Sequence, residues 1–313
     1  IAPNPKWNQV SSRILGSMLP RAHKIAIISA EIGWGSTFAS AEYGPGQLLD
    51  AGLAERLHAT VTRIQAIPSM QDRPLSSEET ERAIMAHAKR VSDAVLKAIQ
   101  QGMFPVVIGG DHTSALGFHS GLARAHGKTG IIWVDTHPDL NIAETSISGH
   151  IHGMVLGGLL GRGSERMLEA TKSCQTSDAH VAMVGIRAID DAEQAWLDEG
   201  VIQCMKMDAV HERGLQACMF DAVATANQAE AGFGLTIDID AIDPSQAPFV
   251  ATPVEDGIDA DEFARVLAQL PHQERLLGME VVEFTPRNDE PGDADRACTL
   301  IVSLVTAVTG TPV

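Results

Sequence analysis

At 313 residues the chain suits one large α/β domain or two smaller ones, and with 44% hydrophobic but only 4% aromatic residues its core must be mainly aliphatic. A formal charge of −17 argues against nucleic-acid or anionic-membrane partners, whose phosphates need Lys and Arg, and favours approach of small cations. Four scattered cysteines (Cys174, Cys204, Cys218, Cys298) without a C-x-x-C pair point to free thiols in a reducing compartment. No apolar run reaches the ~18 residues that span a bilayer, and residues 1–6 show no basic-then-apolar secretory pattern, so a cytoplasmic location is expected.

Residues 24–30 (KIAIISA) read as a first strand. A loop at 33–37 and the turn Tyr43-Gly-Pro-Gly46 lead into a helix over 47–57, where a proline near the start loses only an N–H that would be unpaired anyway. Residues 58–66 alternate enough for a second strand. After a loop at 74–77, Ser77-Glu-Glu-Thr-Glu opens a long helix to about Gln101, its acidic residues placed where the helix dipole favours them. A third strand, 104–108, closes in Gly109-Gly110-Asp111-His112, and helical periodicity covers 113–125. The buried run 130–134 is a fourth strand, ending in Asp135-Thr-His137-Pro-Asp139, followed by an irregular polar loop over 141–153.

Strands at 180–186 and 201–207 flank a helix that starts at Asp190-Asp191, and a helix covers 212–231. A strand over 234–242 carries Asp238 and Asp240, a loop runs from Asp243-Pro244 through Gly257, and a helix covers 259–270. The last strand, 276–284, bears Glu280 and Glu283, and a helix over 293–308 closes the chain. Strands alternating with helices throughout predict a parallel or mostly parallel sheet covered on both faces, within one domain spanning 1–313.

The chemistry concentrates at three strand ends. Asp135, His137 and Asp139 are spaced two apart, so on an extended chain all three side chains share one face. Asp238 and Asp240 repeat that spacing at the end of another apolar run, where a charged pair is expensive unless a cation or partner neutralises it. With His112 these make two imidazoles and four carboxylates, enough for two divalent ions with open positions for a bridging water, as in two-metal hydrolases. Oxygen and imidazole ligands without thiolate suit Mn²⁺, Mg²⁺, Fe²⁺ or Zn²⁺.

Three segments, Gly109-Gly110-Asp111-His112, Asp135-Thr-His137-Pro-Asp139 and Thr236-Ile-Asp238-Ile-Asp240-Ala-Ile-Asp243-Pro244, resemble in order and spacing the metal-binding motifs of the ureohydrolase (arginase–agmatinase) superfamily. Ser148-Gly149-His150-Ile151-His152-Gly153-Met154 looks like the arginase loop, and Met279-Glu280-Val-Val-Glu283-Phe-Thr-Pro286 is similar to the family's last strand. The likeness extends from about Gly44 to Pro286. It implies a three-layer αβα fold around an eight-stranded, mostly parallel sheet, two Mn²⁺ per subunit, and a homotrimer or homohexamer. His112, Asp135, Asp139 and Asp238 would hold one ion and Asp135, His137, Asp238 and Asp240 the other, Asp135 and Asp238 bridging. In this likeness Asp139 handles the proton of the attacking water, His152 relays protons to solvent, and Glu283 pairs with a guanidinium in a bidentate fork. Thr252 would accept a hydrogen bond near the guanidino group. Asn141, Ser148 and His150 fall at positions that meet an α-carboxylate, and Asp190 at one that meets an α-ammonium.

The expected reaction is hydrolysis of a small cationic guanidino substrate, with L-arginine giving L-ornithine and urea. The chain departs from the family pattern at Phe249 and Ala251, which replace two glycines before Thr252-Pro253, at His150 in place of Asn, and at Ala188 in place of a second Asp. These leave two rivals open: an agmatinase or guanidinobutyrase, and a metal-binding relative with altered or lost activity.

Overall fold

A computed structural model describes residues 24–70, 72, 75–287 and 290–311. The expected loop start at Pro74 and the reading of residues 1–6 lie outside these. In chain order the strands are β1 (Ile25–Glu31), β2 (Thr60–Gln65), β3 (Phe104–Gly109), β4 (Gly130–Val134), β5 (Val181–Ile186), β6 (Gln203–Lys206), β7 (Phe233–Asp238) and β8 (Leu276–Val282). The helices are α1 (Gly44–Asp50), α2 (Leu53–Arg56), α3 (Ser77–Gln100), α4 (Ser114–His126), α5 (Val155–Leu159), α6 (Glu165–Thr171), α7 (Asp191–Leu197), α8 (Met207–Arg213), α9 (Leu215–Ala226), α10 (Ala260–Leu267) and α11 (Asp293–Thr309), with short 3₁₀ turns between some of them.

All eight strands join one sheet in the order β2-β1-β3-β8-β7-β4-β5-β6, and every pairing is parallel. Alternation along the strands divides the core. Ile25 and Ile27 join Val106, Ile132, Ile237 and helices α9–α11 on one face. Ala26, Ile28 and Ala30 meet Val91 and Val95 of α3 and Phe118 of α4 on the other. The outcome is the three-layer α/β architecture expected, fully parallel where the sequence reading allowed exceptions. No helix among the described residues is long and apolar enough to cross a membrane.

Several boundaries moved for physical reasons. The helix expected over 47–57 splits into α1 and α2, and that over 212–231 breaks at Gly214, whose φ of 85° no right-handed helix allows. Helix α3 begins as its acidic first turn suggests, closed by a reciprocal cap in which Ser76 and Glu79 each bond the other's backbone N–H. Helices α5 and α6 went unread, their segment (VLGGLLGRGSERMLEA) being rich in glycine.

Where the site lies follows from the strand order. The chain crosses from β3 to β4 over two strands that are filled in later, so β3, β8, β7 and β4 stand side by side with their carboxyl ends at one rim. Open parallel sheets carry their crevices at such crossovers. Gly110, just past β3, lets the chain pass close to its neighbours: a Cβ there would lie 2.0 Å from the Ile32 carbonyl oxygen and 2.7 Å from that of Ala41.

Candidate metal centre

His112 leads into α4, buried, its ring stacked on Trp133 of β4 at 4.3 Å between centroids. The indole N–H of Trp133 donates to Asp135 Oδ2 at 3.0 Å, so one aromatic residue sets both a ring plane and a carboxylate. His112 Nδ1 faces Asp139 Oδ2 at 3.0 Å, Asp135 Oδ2 at 3.2 Å and Asp238 Oδ2 at 3.4 Å. His137 Nδ1 lies 3.1 Å from Asp240 Oδ2 and 3.6 Å from Asp135 Oδ1. Two clusters able to hold an ion result, His112–Asp135–Asp139 and Asp135–His137–Asp240, with Asp135 common to both.

The side chains converge by a different route from the one expected. Residues 135–137 bend, and Asp139 sits at a φ of 52°, so a turn rather than strand alternation brings it back toward His112. Asp240 likewise leaves the strand for a 3₁₀ turn (Ile239–Ala241), where its N–H donates to Asp238 Oδ1 at 2.8 Å. Non-glycine residues at positive φ carry strain that surrounding contacts must hold, and such residues cluster at functional sites.

The donor set fits divalent cations. Nε2 of His112 is buried without a hydrogen-bond partner, and Nδ1 has at most one proton to offer the three carboxylates that face it. Four carboxylates crowd a volume from which water is largely excluded, with only two imidazoles to balance them. Burial, then the charge of Asp135, pushes Asp139 up to about 6, and burial with the charges of Asp240 and Asp135 raises Asp238 well above the carboxylate range. A cage of this kind is short of positive charge, and oxygen and imidazole donors suit a hard or borderline ion.

A cleft of about 300 Å³ opens onto this cage. Its walls include Asn141, Ser148, Asp190, Thr252, His152 and Glu283, all anticipated from the sequence. His150 lines the neighbouring cleft with Trp34 and Thr37 instead, because the chain turns between it and His152. Phe249 lies in the core, fully buried edge-on against Phe284 at 5.6 Å, so it does not crowd the cleft. Ala188 does line it.

Within the cleft, Glu283 Oε1 accepts the His112 N–H at 2.9 Å and lies 3.0 Å from His152 Nδ1. Burial opposes charge on His152, yet the Glu283 hydrogen bond and charge outweigh it and lift the imidazole to about 9. His152 belongs to a 3₁₀ turn (Ile151–Met154) pinned by its own N–H to Gly35 O at 3.1 Å, not to irregular loop. Thr252 donates its hydroxyl to Asp240 Oδ2 at 3.1 Å. The Asn141 amide donates to Asp190 Oδ2 at 3.0 Å.

Glu193 was missed. It lines the cleft, buried, its carboxylate accepting the N–H groups of Leu140 (3.0 Å) and Asp190 (2.9 Å), and burial raises it to about 7. The capping pattern Asp190-x-x-Glu193 at the start of α7 was the available signal.

Beneath the cage, Glu280 is fully buried between the hydroxyls of Ser114 (2.7 Å) and Thr236 (3.3 Å). Burial pushes its carboxyl up to about 7, against the opposing pull of His112 and the hydroxyls. The unfolded chain releases this proton near 4.5, so the group's contribution to stability is complete below that pH and is lost as pH rises through 7. Glu280→Gln removes the dependence. In metal-stripped protein, its stability relative to wild type, read by urea unfolding, is expected to climb by about 3 kcal/mol from pH 4 to pH 8, at ~1.4 kcal/mol per pH unit. A flat difference would refute the assignment.

Comparison with known proteins gives concordant results. The profile described as "Arginase family" matches residues 23–307. An arginase from Bacillus caldovelox is 33% identical over 275 residues, covering 85% of this chain and 92% of that protein. The crystal structure of arginase from Bacillus subtilis superposes with a TM-score of 0.79 at 29% identity, covering 90% of this chain and 98% of the other. That of Entamoeba histolytica arginase in complex with L-ornithine gives 0.82 at 25%, covering 91% and 99%.

Proposed function

The chain belongs to the arginase family, within the ureohydrolase superfamily, and is a hydrolase of guanidino substrates; from that premise we propose that it converts L-arginine and water to L-ornithine and urea, using two Mn²⁺ ions. The observation that carries this reading is the pair of ligand clusters sharing Asp135 at the floor of a cleft walled by Glu283, Asp190 and Glu193. His112, Asp135, Asp139 and Asp238 would hold one ion, and Asp135, His137, Asp238 and Asp240 the other. When bound, the ions supply a nucleophile at neutral pH by acidifying water, and they balance the carboxylates.

The remaining work falls to the protein's own groups. A guanidinium is charged and delocalised, so it must be oriented before it can be attacked. Glu283 supplies a carboxylate for a bidentate fork, and the oxygen of Thr252 can accept a further guanidino N–H while its proton stays on Asp240. Asp139 takes a proton at its carboxylate and passes it to the departing nitrogen. His152, charged in this geometry, holds a proton at the mouth of the same pocket and exchanges it with solvent. Asp190 and Glu193 face the α-ammonium, and Ser148 and Asn141 the α-carboxylate. We place the whole chain in one domain, in the cytoplasm, and in a homotrimer or homohexamer, in line with the family.

One observation favours a second substrate. The Asn141 amide is already engaged by Asp190, which weakens its claim on an α-carboxylate and suits agmatine, which has none. Urea release from L-arginine, agmatine and 4-guanidinobutyrate decides between them. L-arginine is expected to lead agmatine by about 100-fold or more in kcat/KM, since polar groups left unpaired by the wrong ligand discriminate strongly. Equal turnover would refute the L-arginine assignment, and two bound ions with no urea from any guanidine would refute catalysis.

A further inference from the structure

Arg187, one residue past β5, uses all five of its guanidinium N–H donors on main-chain carbonyls. Nε reaches Glu255 O at 3.0 Å, one terminal nitrogen reaches Gly185 O (3.1 Å) and Ala241 O (3.2 Å), and the other reaches Asp240 O (2.9 Å) and Val254 O (2.8 Å). Every acceptor is neutral. The backbone N–H groups of Arg187 and Ala188 both donate to Thr136 O, at 2.9 and 3.1 Å. Thr136 in turn donates its hydroxyl to Asp240 O (2.7 Å) and its N–H to Asp240 Oδ1 (3.2 Å). One residue therefore joins the end of β5, the Asp135–Asp139 turn, the turn bearing Asp240 and the loop after Thr252.

We propose that Arg187 is a positioning residue, fixing Asp240, the His137 segment and Thr252 relative to one another and so setting the affinity of the Asp135–His137–Asp240 position alone. The inference rests on the two-ion reading above. The cluster around His112 is held by other contacts, from Trp133 and Glu283. Lysine cannot substitute, because three donors on one nitrogen cannot span five carbonyls.

Charge and geometry predict opposite signs. A guanidinium beside a cation site repels the cation, so if Arg187 acted through its charge alone, Arg187→Met would bind metal more tightly. If it acts by position, the same variant binds more weakly.

The experiment is a calorimetric titration of metal-stripped, full-length protein with Mn²⁺, with EPR of the bound ions and thermal unfolding alongside. Wild type should take up two ions and show the coupled spectrum of a manganese pair. Arg187→Lys and Arg187→Met should keep one ion near wild-type affinity, bind the second about 10–100-fold more weakly, and show isolated Mn²⁺ at one equivalent. Arg275 clamps carbonyls of Ala229 (2.7 Å) and Glu230 (3.2 Å) far from the cage, and Arg275→Ala should leave both ions unchanged. Unchanged or tighter second-ion binding in Arg187→Met would overturn the proposal. So would equal weakening of both ions with a drop in Tm. Fewer than two ions in wild type would refute the two-ion reading instead.

Discussion

Asp135→Asn is expected to abolish most activity, lowering kcat/KM by more than about 100-fold and weakening both metal positions together. Removing a group that merely orients a ligand typically costs 10–100-fold in metal affinity or activity, so losing a shared ligand must exceed that range. Asp135 is the residue common to both clusters, its two oxygens turned toward His112 and His137 respectively. The amide keeps the size of the side chain, and its one oxygen can still accept from either Trp133 or the His137 N–H, so the fold should survive the loss of the other bond. Asp240→Asn, by contrast, touches one cluster and should spare the other. Metal content, measured after dialysis against limiting Mn²⁺, separates the cases: near zero for Asp135→Asn and near one for Asp240→Asn. Two tightly bound ions in Asp135→Asn would refute the shared-ligand geometry.

The fold and much of the cage were legible because their causes are local. A buried apolar run marks a strand of a parallel sheet, and charged residues at its end have few inexpensive uses besides binding a cation. What was not legible is the path by which those residues meet. Asp139 reaches the cage through a positive φ held by tertiary contacts, and Asp240 through a 3₁₀ turn. Neither is written in a spacing of two. The placement of Phe249 was hidden for a related reason: it stands three residues before Thr252 in the chain, yet it packs away from the cleft against Phe284, a choice only the assembled core decides. Glu193 was hidden because a capping glutamate and a cleft-lining glutamate have the same sequence signature. The role of Arg187 was invisible, since its five acceptors come from three separate stretches of chain.

Glu283→Gln is expected to lower kcat/KM for a guanidino substrate by roughly 30-fold to several thousand-fold, the range of 2–5 kcal/mol found when one partner of a buried, hydrogen-bonded charge pair is truncated. The loss should include a higher KM, because a neutral amide offers the guanidinium one acceptor where the carboxylate offers two. The structure also supplies the competing explanation. Glu283 holds His152, so the variant could act only by releasing that imidazole. His152→Asn tests this. If Glu283 serves His152 alone, the single variants should be equally impaired and the double variant no worse than either. If Glu283 meets the guanidinium itself, Glu283→Gln should raise KM well beyond His152→Asn, and the double variant should be worse than both. The backbone favours the second outcome. Glu283 is held at a φ of 68°, in a region that non-glycine residues occupy at a cost of about 1–3 kcal/mol, and this strain aims a buried carboxylate into the cleft directly beside the cage. Such strain persists where contacts over-determine it, here the His112 N–H on Oε1 and the Glu283 N–H on Gly110 O, both 2.9 Å.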